Sequence, residues 1–500
     1  MKGNKVVLII CDGLGYREAT DHNAVVAART PNLDRYGRDY PHALLSASGE
    51  AIGLPAGQMG TSEANHLVIG SGRIIYQNLT RINHAIRKGT VADNEAIIEA
   101  CEHVKEFGSV LHIKGIVSDG GVHGHTDHLK ELVSVAKLHG VERIFLHLFT
   151  DGRDVAPRSA KGHVEDLEKF LREQGVGRIA SIGGRYWGMD RDNNDDRIEK
   201  HFLVITKGSE RKFKSALELI EHSYQNGVTD EFIEPASLEL DEGAAGCIEA
   251  NDAVIFANFR SDRAKQLAKR TLDENLDNLK YVAMTKYDDD IDVRVAFPPE
   301  EIGNTLSEVI SRHGLRQLKV TETEKFTHLT FFFNAQRYEA EKGEDRIMIP
   351  SNKDVGTHDQ RPEMKADEIT AKVCEALQQK EYDFIALNLT NCDMVGHSGN
   401  FEAIVSAVEV VDAALGKIVE AAKTHGYEVI ITADHGNAEE TFGNGQPMTA
   451  HTINPVPFYL ISEKFPTISR TEGDLSDIAP TILAIMGLKA PKEMTGKSFV

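Results

Sequence analysis

Apolar and polar positions follow two rhythms along this chain. Short runs rich in valine, isoleucine and phenylalanine, such as KVVLII (5–10), alternate with longer stretches in which apolar residues return every three or four positions. The short runs predict strands buried on both faces, and the longer stretches predict amphipathic helices connecting them. Strand and helix in alternation predict an α/β fold with largely parallel strands.

The ends of the predicted strands carry the chemistry. In open α/β sheets, ligands bind beyond the carboxyl ends of the strands. One set of runs comes from the two ends of the chain: KVVLIICDG (5–13), FIALNLTNCDMVGH (384–397) and YEVIITADHG (427–436). If these strands are neighbours, Asp12, Asp393, His397, Asp434 and His435 meet at one mouth, with His451 following in TAHTINPVP. A second set comes from the middle: SVLHIKGIVSDGGVHGH (109–125), RIFLHLFTDGRD (143–154), GRIASIGGR (177–185) and DAVIFANFRSDR (252–263). These strand ends bring His123, Arg153, Asp154, Arg185, Arg191, Arg260 and Arg263. The expected layout is a domain of residues 1–76 and 308–500 interrupted by an inserted α/β domain of residues 77–307.

Composition narrows the function. The chain of 500 residues is 41% hydrophobic and 27% charged, as in globular proteins, and is long enough for at least two sizeable cores. A formal charge of −21 argues against nucleic acid or an anionic membrane surface as partner. The five cysteines, at 11, 101, 247, 374 and 392, form no CxxC pair, so neither a disulfide framework nor a zinc ribbon is expected. The N-terminal apolar run ends at Asp12, too short for a signal peptide, and no stretch is long enough to span a membrane. A monomeric protein of the reducing cytoplasm is expected.

The first set of strand ends offers carboxylates and imidazoles, good ligands for Mn²⁺ or Zn²⁺. The number of candidates exceeds what a single ion needs and suggests two ions, a centre able to activate a hydroxyl and support in-line phosphoryl displacement. The arginines of the second set suit a small substrate bearing both phosphate and carboxylate. Ser62, in GQMGTSEANH (57–66), is either a helix cap or a nucleophile on a tight bend. A competing pattern is HGHTDH (123–128), which matches the H-x-H-x-D-H signature of metallo-β-lactamase-fold zinc hydrolases. It runs straight into an amphipathic stretch that His125 and His128 could simply begin.

Several long blocks resemble the cofactor-independent phosphoglycerate mutases of the alkaline phosphatase superfamily. They include IGLPAGQMGTSE, YQNLTRINHAIRKG, FTDGRD, GRYWGMDRDN, NFRSDRA, ETEKFTHLTFFFN, NCDMVGHSGNFEA, ADHGNAE, AHTINPVPF and DIAPTILAIMGL, and they cover essentially the whole chain. The resemblance implies a phosphatase-like domain with two Mn²⁺ ions and an inserted transferase domain. Asp393, His397 and His451 would hold one ion, and Asp12, Ser62, Asp434 and His435 would surround the other. Ser62 would be the nucleophile, phosphorylated in each turnover, with Lys325 of TETEKF near the transferred phosphate. His123, Arg153, Asp154, Arg185, Arg191, Arg260 and Arg263 would bind the substrate, and Asp154 would carry a proton between two substrate oxygens. The implied reaction interconverts 3-phosphoglycerate and 2-phosphoglycerate. The chain departs from the usual patterns in places: GNSEVGH reads GTSEANH, with Thr61, Ala64 and Asn65, GVHSH reads GVHGH, with Gly124, and DRDNRWDR reads DRDNNDDR.

Overall fold

The apolar run near the N-terminus forms the strand Lys5–Cys11, with every residue after Lys5 buried. A strand of that kind belongs at the centre of a sheet covered on both faces. In the computed structural model, which describes residues 3–240, 246–443 and 445–500, it does. The chain divides into two compact units, Met1–Gln77 with Glu301–Val500, and Asn78–Glu300. The α/β class expected from the alternating runs is what the structure has.

In the first unit an eight-stranded sheet runs in the order Glu344–Ile349, Gln317–Glu322, Phe384–Leu389, Lys5–Cys11, Tyr427–Thr432, Val456–Ile461, His42–Ser46 and Glu472–Asp474. The first five strands are parallel, and Val456–Ile461 runs against its neighbours on both sides. Lys5–Cys11 pairs Ile10 with Asn388 on one side and with Thr432 on the other, which aligns the carboxyl ends of three strands. The long helix Phe401–His425 covers the sheet with Ile404, Ala407, Val408, Val411, Leu415 and Ile418 buried, a stripe at helical spacing. Asn400 caps its start by accepting from the Ala403 N–H, and Gly426 ends it in the left-handed region.

The second unit repeats the plan. Its eight-stranded sheet has the order Arg294–Val295, Lys280–Ala283, Ala253–Phe256, Leu111–Val117, Ile144–Thr150, Arg178–Gly184, Ala236–Leu238 and Lys212–Phe213. Leu111–Val117 is buried at every position, as its central place requires. Apolar side chains pack on both faces, one cluster including Leu132, Leu148 and Ile220, another including Phe149, Phe202 and Phe256. Among the described residues, no helix is long and apolar enough to cross a membrane.

Candidate active site

Four neighbouring parallel strands of the first unit deliver polar side chains at their carboxyl ends. Asp12 follows Lys5–Cys11 directly, and Asp434 and His435 come just after Tyr427–Thr432. Asp393 sits in the short helix Asn391–Gly396 beyond Phe384–Leu389, and Lys325 in Thr323–Thr327 beyond Gln317–Glu322. Close approach of these loops requires a glycine at position 13. Gly13 has φ +78°, and a Cβ there would stand 2.6 Å from the Asp393 Cα.

Ser62 opens the helix Ser62–Ser71, but it is not the cap. Thr61 holds that place, its hydroxyl accepting from the Ala64 N–H at 3.3 Å. The Ser62 hydroxyl is thereby left to the site. Its Oγ lies 2.7 Å from Lys325 Nζ and 2.9 Å from His435 Nε2. Lys325 Nζ also lies 2.7 Å from Asp12 Oδ1 and 2.7 Å from Asp393 Oδ2. Replacing Thr61 by alanine should cost about 1 kcal/mol of stability, the usual value of an N-cap. The loss should read out as a lower urea midpoint.

The residues fit divalent cations, on two observations. His397 Nδ1 faces the Thr449 carbonyl at 2.7 Å, and His451 Nδ1 faces that of Gly60 at 2.7 Å. A carbonyl oxygen only accepts, so each Nδ1 carries a proton and each Nε2 a lone pair. Those two Nε2 atoms lie 3.3 Å apart, and 3.2 and 3.1 Å from Asp393 Oδ1. Three electron-pair donors aimed at one point call for a cation between them. Without a metal ion a proton must serve. Burial alone would lower the pKa of His451, but Asp393 outweighs it and raises the pKa to about 9. His397 is raised as well, chiefly by its contact with Asp393.

The second observation is charge. Asp12, Asp393 and Asp434 are all buried around the single ammonium of Lys325. Burial, then the charge of Asp434, pushes the Asp12 carboxyl well above its ordinary value. Asp434 Oδ2 is buried with no hydrogen-bond partner, 3.3 Å from His435 Nε2. His435 supplies no charge, since burial lowers its pKa to about 4. Buried carboxylates left in excess are costly unless a cation compensates them. Two groups of possible ligands result, Asp393 with His435 and His451, and Asp12 with His66 and Asp434. His66 was absent from the expected set, although its position four residues after Ser62, one helical turn on, was a usable signal.

The second unit gathers the arginines. Arg185 is buried, its Nη1 2.6 Å from Asp151 Oδ1 and 2.5 Å from Asp154 Oδ2. Asp151 also accepts from the backbone N–H groups of Arg153 and Asp154, so it sets the shape of the DGRD loop. Arg191 and Arg260 share one carboxylate, Asp262, at 3.7 and 3.1 Å. Arg263 donates to the Met189 carbonyl. Its pKa is lowered by burial and then by the charges of Arg185, Arg191 and Arg153. At Arg263 the neighbouring arginine charges thus outweigh Asp262, which favours an anion there. His123, 3.7 Å from Asp154 Oδ2, is neutral, because burial and then Arg185 lower its pKa to about 4. A cavity of about 310 Å³, lined by Arg153, Arg197 and Arg263 and also by Asp190, Asp192 and Glu231, adjoins this group.

This geometry has counterparts in known proteins. The sequence profile of the Metalloenzyme superfamily matches residues 4–490. The 2,3-bisphosphoglycerate-independent phosphoglycerate mutase of Clostridium botulinum is 48% identical over 511 residues, covering 100% of both chains. That of Moorella thermoacetica is 47% identical, covering 99% of this chain and 98% of its own. The chain belongs to this family. It is accordingly an enzyme, an isomerase, and the superfamily together with the ligand clusters marks it as one that uses divalent metal. Among solved structures, Leishmania mexicana phosphoglycerate mutase at low cobalt concentration is similar, with 31% identity, 99% of this chain and 98% of that one covered, and a TM-score of 0.54.

The departures from the familiar patterns have structural meaning. Asn65 is fully buried, and its amide nitrogen donates to the carbonyls of Ala47 and Asp434, at 3.0 and 2.5 Å. Gly124 has no room for a side chain, since a Cβ would meet Ile116 Cγ2 at 2.8 Å and Asn258 Oδ1 at 2.9 Å. HGHTDH forms no metal cluster among the described residues. His125 caps the helix Thr126–Leu138, accepting from the Asp127 N–H, and His128 bonds Asn83.

Proposed function

We propose that this chain interconverts 3-phosphoglycerate and 2-phosphoglycerate without a bisphosphoglycerate cofactor, through a phosphoserine at Ser62. The observation that carries the reading is the Ser62 hydroxyl, uncommitted to the helix cap and hydrogen-bonded to Lys325 among buried carboxylates and imidazoles. In this proposal Asp393, His397 and His451 hold one Mn²⁺ ion, and Asp12, Asp434, His435 and Ser62 hold a second. Such ions would lower the pKa of the hydroxyl and neutralise charge on the phosphoryl group.

The chain's own groups do the rest. Lys325 Nζ, already donating to Ser62 Oγ, stabilises charge on that oxygen, whose proton is released to solvent before the substrate binds, so that Ser62 enters and leaves each turnover as the alkoxide. The Ser62 alkoxide attacks phosphorus, the bond to the substrate oxygen breaks, and that oxygen takes a proton from Asp154, which enters the turnover protonated. The other hydroxyl of the glycerate then returns its proton to Asp154 as it attacks the phosphoserine. Arg185 orients the Asp154 carboxylate, and Arg153, Arg191, Arg260 and Arg263 with His123 hold the carboxylate and phosphate of the substrate. A place in glycolysis and gluconeogenesis, in the cytoplasm and as a monomer, belongs to the same proposal. The deciding assay supplies 3-phosphoglycerate and Mn²⁺ with no added bisphosphoglycerate. Formation of 2-phosphoglycerate is expected, and release of free phosphate instead would overturn the mutase reading.

Metal affinity should depend on pH in a stated direction. The His451 pKa is raised above its ordinary value of 6.5 to about 9 without metal. Its contribution to stability is therefore full below 6.5 and is lost as pH rises through about 9. An incoming ion displaces that proton, so its affinity should rise by roughly tenfold per pH unit between about 6.5 and 9 and then level off. Calorimetric titration with Mn²⁺ across that range checks it, and a flat affinity would contradict the assignment of His451 as a ligand.

A further inference from the structure

We infer that His66 is a positioning residue, not a metal ligand, and that it couples the Ser62 turn to Asp12 through Asn388. The inference rests on the site proposed above. His66 invites the other reading, since its Nδ1 lies 3.5 Å from Asp434 Oδ2 and it groups with two aspartates at ligand distances. Its hydrogen bonds decide the matter. His66 Nδ1 is 2.9 Å from the Ser62 carbonyl oxygen, which can only accept. The proton therefore sits on Nδ1, and that nitrogen has no electron pair to give a metal.

The other ring nitrogen is also committed. Asn388 sends its amide nitrogen to Asp12 Oδ2 at 2.7 Å. With Asp12 ionised, as a residue holding a cation must be, its Oδ2 only accepts, so the amide faces it with its N–H and not with its oxygen. The second N–H of the same nitrogen points to His66 Nε2 at 3.2 Å. Every proton in the chain from the Ser62 carbonyl through His66 and Asn388 to Asp12 is thus assigned by its neighbour. All four residues are buried, His66, Asn388 and Asp12 completely. The chain fixes two things at once. It pins the backbone of Ser62 at the start of its helix, and it fixes Oδ2 of Asp12 so that Oδ1 faces Lys325 at 2.7 Å.

Removal of either link should be felt at both ends. We expect His66→Ala and Asn388→Ala each to keep the parent's number of bound ions at saturating Mn²⁺, counted by mass spectrometry. Each should lower kcat, weaken Mn²⁺ binding, or both, by about 10- to 100-fold, with KM changed far less, as for other groups that orient ligands. The double variant should be no worse than the poorer single, because both changes break one chain. His66→Gln, whose side-chain oxygen can accept from Asn388, should recover most of the loss and guards against a folding defect. Loss of one ion per chain in His66→Ala, with none lost in Asn388→Ala, would make His66 a ligand and overturn the inference. Multiplying effects in the double variant would overturn it too. A parent protein with no mutase turnover would instead sink the functional reading, while ion count and Mn²⁺ affinity still decide the role of His66.

Discussion

Ser62→Ala should lower the mutase rate by about 10⁴- to 10⁶-fold, the scale seen when a covalent nucleophile is removed. The geometry leaves no substitute. The adjacent hydroxyl, on Thr61, is held by the Ala64 N–H at the start of the helix. Lys325 Nζ, which contacts Ser62 Oγ at 2.7 Å, would keep its two carboxylate partners, so the fold around it should survive. Two measurements check the outcome. Acid-quenched parent enzyme mixed with 3-phosphoglycerate should yield a phosphorylated Ser62 peptide, and the variant should yield none. A variant that retained turnover, or a Thr61→Ala protein with an equal loss, would move the nucleophile elsewhere.

Legibility of this site in the sequence followed how each residue is displayed. Asp12, Asp393, Asp434 and His435 stood at the ends of apolar runs, and a strand end is visible as the point where such a run stops. The structure puts them beyond three adjacent parallel strands, as that logic requires. His451 was legible as a histidine following soon after that mouth, whereas Lys325 was visible only through resemblance, because it lies in a five-residue helix. His66 and Asn388 were passed over for opposite reasons. His66 follows Ser62 by one turn in a helix whose sequence looks like ordinary cap chemistry. Asn388 sits inside the apolar strand Phe384–Leu389, where burial hides a polar residue that must have partners. An amide within a run otherwise apolar is a signal that periodicity counts discard. Asp151 of FTDGRD carries no signal of its role in the sequence, since only the fold shows that it gathers Arg185 and two backbone N–H groups. The cap at Thr61 shows the limit from the other side. Adjacent hydroxyls cannot be told apart by propensity, and one residue of register decides which of them faces the site.

Asp154→Asn should separate proton transfer from binding. In FTDGRD the carboxylate could be no more than a partner for an arginine, and the structure does show it on Arg185, with Oδ2 2.5 Å from Nη1. Arg185 has a second partner, though. Asp151 Oδ1 lies 2.6 Å from the same nitrogen and is tied by Ser118 and by backbone N–H groups, so the guanidinium stays in place without the charge of Asp154. An asparagine of equal size can still accept from Arg185 through its oxygen, and little stability should be lost. What it cannot do is give a proton to one substrate oxygen and take one from the other. Lys325 stands at Ser62 and is engaged there, and His123 is held neutral by burial and by Arg185. The expected result is a mutase rate lower by about 10²- to 10⁴-fold, with the parent's metal content and thermal stability and with KM changed far less than kcat. Steady-state rates of the metal-replete variant decide the matter: a rate within a few-fold of the parent would leave Asp154 as a structural partner of Arg185 and require the proton to travel by another group.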